Sequence, residues 1–180
     1  MTEITLEITQ YCPNECPYCS TNASPDGQPL NKNIILKFLE REDCKGKIER
    51  INISGGEPLS HPDFYEILRV CYCYTKNVWV YTNALTQIIY NADIINEIKI
   101  EANVCIAHGK QVYIPKHVNK VHLLKLVQQG RGKKFEYQNI SASGNFFHER
   151  NCKDCNHITL QADGQITTSP CKKTYETQGF

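Results

Sequence analysis

Near its start the chain reads Glu3-Ile4-Thr5-Leu6-Glu7-Ile8-Thr9-Gln10-Tyr11-Cys12-Pro13-Asn14-Glu15-Cys16-Pro17-Tyr18-Cys19. Residues 3–9 alternate polar and apolar, a period of two that belongs to a strand. The alternation stops at Tyr11-Cys12-Pro13-Asn14, a turn signal, and three cysteines follow in a C-x3-C-x2-C spacing. Three thiolates on a short loop can hold three irons of a 4Fe–4S cube and leave the fourth iron open. A closed structural zinc needs a fourth ligand, and no further Cys or His comes before Cys44.

Downstream, Asn31 offers an N-cap for a helix with Ile34, Ile35, Phe38 and Leu39 on one side. Ile48 to Ser54 reads as a second strand, broken by Gly55-Gly56. His61-Pro62-Asp63 introduces a helix through about Tyr74, with Phe64, Ile67, Leu68 and Cys71 at helical spacing. Val78 to Thr82, rich in β-branched and aromatic residues, is a third strand. Helical stretches are expected over 85–91 and 92–97. Ile98 to Ile106 and Val112 to Val118 read as strands four and five, Asn119 as the cap of a helix with Val121, Leu124, Leu126 and Val127, and Phe135 to Ser141 as strand six. Strands alternating with helices predict βαβ units and a parallel sheet. The link between strands four and five is too short for a crossover helix, which leaves a hairpin open for that pair.

The 180 residues suit one domain and fall short of the roughly 250 that a full eight-fold barrel takes. Apolar residues at 41% and charged ones at 22% exclude wholesale disorder. With 20 Lys plus Arg against 19 Asp plus Glu, the net charge of +1 excludes a strong sequence-independent grip on nucleic acid. Met1 to Glu7 has neither the basic nor the apolar region of an export signal, and no long apolar run suits a membrane span. A cytoplasmic chain is the expectation.

Six of the ten cysteines fall in two tight groups, one near each end. Cys44, Cys71, Cys73 and Cys105 lie between and are expected to be free, buried, inert thiols. The second group, Cys152, Cys155 and Cys171, has spacing C-x2-C-x15-C. Between its pairs, His157 to Ala162, Asp163-Gly164 and Gln165 to Ser169 read as a β-hairpin with an Asp-Gly turn. This tail is expected to be a small appendage fixed by its own cysteines. Its ligand could be an iron–sulfur cluster, or a zinc closed by His148, or the thiols could be free; His157 reads as a surface residue. Gly130-Arg131-Gly132-Lys133-Lys134 reads as a solvated basic turn that could approach a phosphate or nucleic acid.

The first loop, with Tyr18 as its aromatic residue, resembles the radical S-adenosylmethionine (radical SAM) superfamily. The resemblance implies that Cys12, Cys16 and Cys19 bind a 4Fe–4S cube whose open iron chelates the methionine part of SAM. An electron from the cube then cleaves the sulfonium bond, giving methionine and a 5′-deoxyadenosyl radical that abstracts hydrogen from substrate. Ser54-Gly55-Gly56-Glu57-Pro58 resembles the family's GGE motif, where two glycines let backbone approach a ligand closely and the segment positions methionine. Tyr18 resembles the aromatic near the adenine. Thr82-Asn83-Ala84 ends strand three where the family often has Thr-Asn-Gly, and Glu101 stands where members often place a polar group on the SAM ribose. Asn119 matches a further polar position but is already explained as a cap. The second cysteine group resembles the twitch appendage of the molybdopterin-precursor cyclase group, which holds a second 4Fe–4S cluster; the GTP reaction of that group is not carried over.

The expected fold is therefore α/β: a compact, incomplete (βα)6-type barrel over residues 1–147, with a cysteine-bound hairpin and tail over 148–180. The expected function is radical SAM chemistry on a small molecule, nucleotide-like or a modified amino acid, bound near the second cluster. A macromolecular substrate is the alternative: a peptide, a nucleic acid or a glycyl-radical enzyme. A non-catalytic iron–sulfur or zinc module is the third reading, and it would not need Gly-Gly-Glu-Pro. Expected partners are SAM and a reductant such as flavodoxin or ferredoxin, with no membrane and no nucleic acid indicated.

Overall fold

A computed structural model of the chain describes residues 2–83, 99–104, 120–123, 131 and 157–167; for 99–104 and 120–123 it describes backbone and strand pairing. The elements are β1 (Thr2–Glu7), α1 (Lys32–Lys45), β2 (Ile48–Ser54), a 3-10 turn (Pro58–Ser60), α2 (Phe64–Tyr74), β3 (Val78–Thr82), β4 (Lys99–Val104), β5 (Lys120–Leu123), β6 (Ile158–Leu160) and β7 (Ile166–Thr167). They form one sheet in the order β5-β4-β3-β2-β1-β6-β7. Every neighbouring pair is parallel except β6 with β7.

The two faces of this sheet differ because strand side chains alternate. On one face Ile4, Leu6, Ile8, Ile51, Ile53, Val78 and Val80 are buried with Ile35, Phe38 and Leu39 of α1 and Phe64, Ile67, Leu68 and Cys71 of α2. The start of α1 is fixed as its sequence suggests, the Asn31 side chain accepting from the Asn33 N–H at 2.9 Å. Its end falls at Gly46, whose φ of +155° suits glycine.

The other face is polar. There Glu3 accepts from Asn52 (2.7 Å), Arg50 donates to Asn52 (2.9 Å) and to the Tyr81 hydroxyl (3.0 Å), and the Arg50 guanidinium lies 4.9 Å from the Trp79 ring centroid. His157, just before β6, stands 3.5 Å from Glu3. Such satisfied polar packing ties β1, β2, β3 and β6 together across this face, and the loops after β1, β2 and β3 leave from the C-terminal ends of the strands. In parallel α/β folds that end is where chemistry is placed.

Two expectations need correction. Lys120–Leu123, expected as the first turn of the helix after Asn119, is instead β5, with Glu101↔Lys120 and Asn103↔His122 in parallel register. Lys-Val-His-Leu also satisfies a period of two, and four residues cannot separate that from a helical start; pairing with β4 decides it. The hairpin, expected as an appendage, joins the core sheet: Ile4↔Ile158, Thr5↔Thr159 and Leu6↔Leu160 pair β6 in parallel with β1, and Leu160 and Ile166 are buried in the common core. The helices expected over 85–97 and the strands expected at 112–118 and 135–141 lie outside the described residues. Among the described residues no helix is long and apolar enough to cross a membrane.

Candidate metal and cofactor site

The segment after β1 is held from both sides by backbone. Gln10 N–H donates to Gln28 O (3.0 Å), Cys12 N–H to Ser24 O (3.0 Å), and Ser24 N–H back to Gln10 O (3.2 Å). From the other side, Gly56 N–H donates to Thr9 O (2.6 Å) and Glu57 N–H to Tyr11 O (2.9 Å). The cysteine loop thus leaves the sheet pressed between its own return, residues 22–30, and the bend after β2. Within the loop Cys19 N–H donates to Cys16 O (3.1 Å), and Glu15 and Asn22 take left-handed φ of +40° and +59°.

This packing explains the two glycines differently from the sequence reading. A Cβ on Gly55, whose φ is +124°, would sit 2.5 Å from Thr9 O, and one on Gly56 would run into the carbonyl of Tyr11. The backbone that comes close here is that of the cysteine segment itself. Glu57 likewise turns inward. Fully buried, it caps the 3-10 turn by accepting from Leu59 N–H (3.2 Å), and it accepts from the Thr82 hydroxyl (2.9 Å) and from Asn83 N–H (3.0 Å). Burial pushes its carboxyl above the ordinary range, opposed by those same hydrogen bonds. Pro58 is buried at the first position of that turn, and Ser54 O accepts from Ile8 N–H at 3.0 Å. Glu57 therefore fastens the end of β3 to the bend after β2, and the bend to the cysteine loop.

The consequence is that Asn83, just past β3, brings its amide nitrogen to 3.7 Å from the Cys12 sulfur. Cys12 is buried, Cys16 and Cys19 are half-buried, and none of the three is in a disulfide. Burial pushes the Cys12 thiol up; the Asn14 backbone N–H opposes this, and Glu57 and the other two thiols reinforce it. A site of this kind disfavours thiolate until a cation arrives to hold it. Tyr18 is buried beside the loop. The structure thus brings Cys12, Cys16, Cys19, Tyr18, Gly55, Gly56, Glu57, Thr82 and Asn83 to the C-terminal ends of β1, β2 and β3. Glu101 lies on β4, in register with Tyr81 of β3 and Lys120 of β5. His148, Cys152, Cys155, Cys171 and Cys105 lie outside the described residues.

The residues present fit an iron–sulfur cube. The donors are three soft thiols on one loop, and Nδ2 of Asn14, between Cys12 and Cys16, is buried without an acceptor among the described residues, a donor that bridging sulfide can satisfy.

Other cysteines sort by helix geometry. Cys71 and Cys73 point to different sides of α2, the first buried and the second exposed; burial raises the Cys71 thiol to about 12. Cys44, expected to be buried, is exposed at the end of α1. One residue of the site escaped the sequence reading altogether: Arg131, expected in a solvated turn, donates to four backbone carbonyls of residues 16–23. Nothing local in Gly130-Arg131-Gly132 signals this contact.

Comparisons with known proteins agree with this layout. The family model described as "Radical SAM superfamily" matches residues 6–104. The PqqA peptide cyclase of Bradyrhizobium diazoefficiens is 33% identical over 88 residues, covering 48% of this chain and 22% of that protein. The PqqA peptide cyclase of Ruegeria pomeroyi is 32% identical over 83 residues, covering 45% and 21%. The chain therefore spans about a fifth of the length of these curated relatives. Among solved structures, BtrN in complex with AdoMet and 2-DOIA matches the fold with a TM-score of 0.62 at 15% identity, over 93% of this chain and 72% of that one. The curated relatives are named for a peptide, which runs against the small-molecule substrate expected from the sequence; that expectation is withdrawn.

Proposed function

The chain belongs to the radical SAM superfamily of enzymes, and on that premise we propose that it carries the catalytic core of a radical SAM enzyme that modifies a peptide. The observation behind the site is the convergence of three chain segments: the Cys12–Cys19 loop, the Gly55–Glu57 bend and Asn83 are locked together by backbone and Glu57 hydrogen bonds. The peptide rests on the relatives, which are named as peptide cyclases.

When bound, the cube with SAM supplies a 5′-deoxyadenosyl radical by reductive cleavage of the sulfonium bond. The chain's own contribution is placement. Cys12, Cys16 and Cys19 would hold the cube, and Asn83 directs its amide nitrogen toward the Cys12 sulfur. The Ser54–Pro58 bend would meet the methionine end of SAM with backbone groups, since the Glu57 carboxylate is held by Thr82 and Asn83. By the family resemblance, Tyr18 would lie near the adenine and Glu101 would serve the ribose hydroxyls. A flavodoxin- or ferredoxin-like protein delivers the electron. Cys152, Cys155 and Cys171 would hold a second, twitch-like 4Fe–4S cluster; a zinc closed by His148 is the competing arrangement, supported by the same spacing.

The test is anaerobic reconstitution of the full chain with iron and sulfide, followed by reduction and SAM. The wild type is expected to form 5′-deoxyadenosine and the Cys16→Ala variant none; equal yields would sink the radical reading. Adding a PqqA-type precursor peptide is expected to raise turnover and to change the mass of the peptide. An unchanged peptide mass across such precursors would sink the peptide assignment. Metal analysis of the Cys12/Cys16/Cys19 triple alanine variant decides the second site: about four irons support the cluster, one zinc its rival.

A further inference from the structure

Arg131 is separated from the cysteine loop by more than a hundred residues of sequence, yet it donates four hydrogen bonds to the backbone of residues 16–23. Its backbone N–H donates to Cys19 O (2.9 Å), Nε to Cys16 O (3.0 Å), NH1 to Asn22 O (3.1 Å) and NH2 to Ala23 O (2.6 Å). Two of those carbonyls belong to cysteines assigned to the cube. The third belongs to Asn22, one of the two non-glycine residues here with left-handed φ. Resting on the proposed radical SAM reading, we infer that Arg131 is a positioning residue for the cube, setting the backbone of residues 16–23 and placing a fixed positive charge behind the thiolates.

The chemistry supports each part. A guanidinium is a rigid planar fork whose donors match several fanned acceptors at once, whereas a lysine ammonium is a point charge on a flexible stem. Hydrogen bonds from a charged donor are among the stronger ones. In a trans peptide the carbonyl and the following N–H point in opposite directions. Turning Cys19 O and Asn22 O toward Arg131 therefore sends the N–H groups of Ser20 and Ala23 away from it. A cation held by neutral carbonyls also keeps its full field, and local charge is one of the levers on iron–sulfur potential.

The experiment compares wild type, Arg131→Lys and Arg131→Gln in two states. In the apo full chain, hydrogen exchange of the peptide covering residues 12–24 is expected to quicken roughly tenfold in both variants, the size set by losing charged hydrogen bonds, while β2 exchanges as before. In the reconstituted protein, the cube's midpoint potential is expected to fall in Arg131→Gln and to stay near the wild-type value in Arg131→Lys, which keeps the charge without the fork. Unchanged loop exchange, or faster exchange of loop and β2 alike, would overturn the inference. A potential equal in all three proteins would overturn its electrostatic part. A wild type that assembles no cube would defeat the radical SAM reading, and the apo exchange would still decide whether Arg131 sets the loop.

Discussion

Glu57 illustrates how little a motif residue's role follows from its type. A carboxylate beside a cofactor site invites a ligand contact, yet this one is fully buried and accepts from Leu59, Thr82 and Asn83. Gly56 beside it is fixed by crowding. Gly56→Ala forces Cβ into the Tyr11 carbonyl, and overpacking against backbone is expected to cost about 2–3 kcal/mol in denaturant unfolding, with loss of iron binding in parallel. Glu7, at the end of β1, makes a second residue-level prediction. Burial first, and then the charge of Asp163, raises its carboxyl from 4.5 to about 7, against a hydrogen bond from the Ala162 backbone. The fold therefore holds the proton more tightly than the unfolded chain, so this group's stabilisation is complete below pH 4.5 and is lost as pH rises to about 7. Glu7→Gln removes that dependence. Across this window the wild type is expected to lose at most about 3 kcal/mol relative to the variant, measured by chemical denaturation at matched pH; parallel curves would refute it.

Among elements, β6 is the most consequential. Three residues, Ile158–Leu160, extend the parallel sheet beyond β1 and bring the hairpin into the main core. Leu160→Ala is therefore expected to cost about 2–5 kcal/mol, comparable to Ile53→Ala in β2, in equilibrium unfolding. A cost near zero would mean that the hairpin is an independent appendage after all. Glu7 and Ala162 join the same two elements close to the cysteine loop, so the hairpin's placement bears on the site as well as on stability. β5 teaches the complementary lesson: Lys-Val-His-Leu fits two periods, and only its neighbour β4 chose between them.

At the scale of the molecule the sheet carries a polar network on one face and its candidate site at one end. The Glu3–Arg50–Asn52–Tyr81 network links β1, β2 and β3 across the polar face, while the loops after β1, β2 and β3 gather at the C-terminal ends. Because the cysteine loop is stapled to both the 22–30 return and the β2 bend, ligand binding there should be felt by the entire core. SAM at about a hundred times its Kd is expected to stabilise the iron-loaded protein by about 2.7 kcal/mol, read as a rise in melting temperature. The Cys16→Ala variant should show no rise.

Much of this was legible in the chain itself, for a physical reason: short-range information. Alternation reveals β1, β-branched and aromatic content reveals β3, a side-chain oxygen at Asn31 starts α1, and three thiols within eight residues advertise soft-metal chemistry without any fold being known. What tertiary structure alone decided are the long-range pairings. The inward turn of Glu57, the crowding at Gly56, the strand state of Lys120–Leu123, the docking of β6 on β1 and the reach of Arg131 to the cysteine loop each depend on a partner distant in sequence. Local propensity is weak beside such contacts, and the energy that settles each one appears only when both partners are in place.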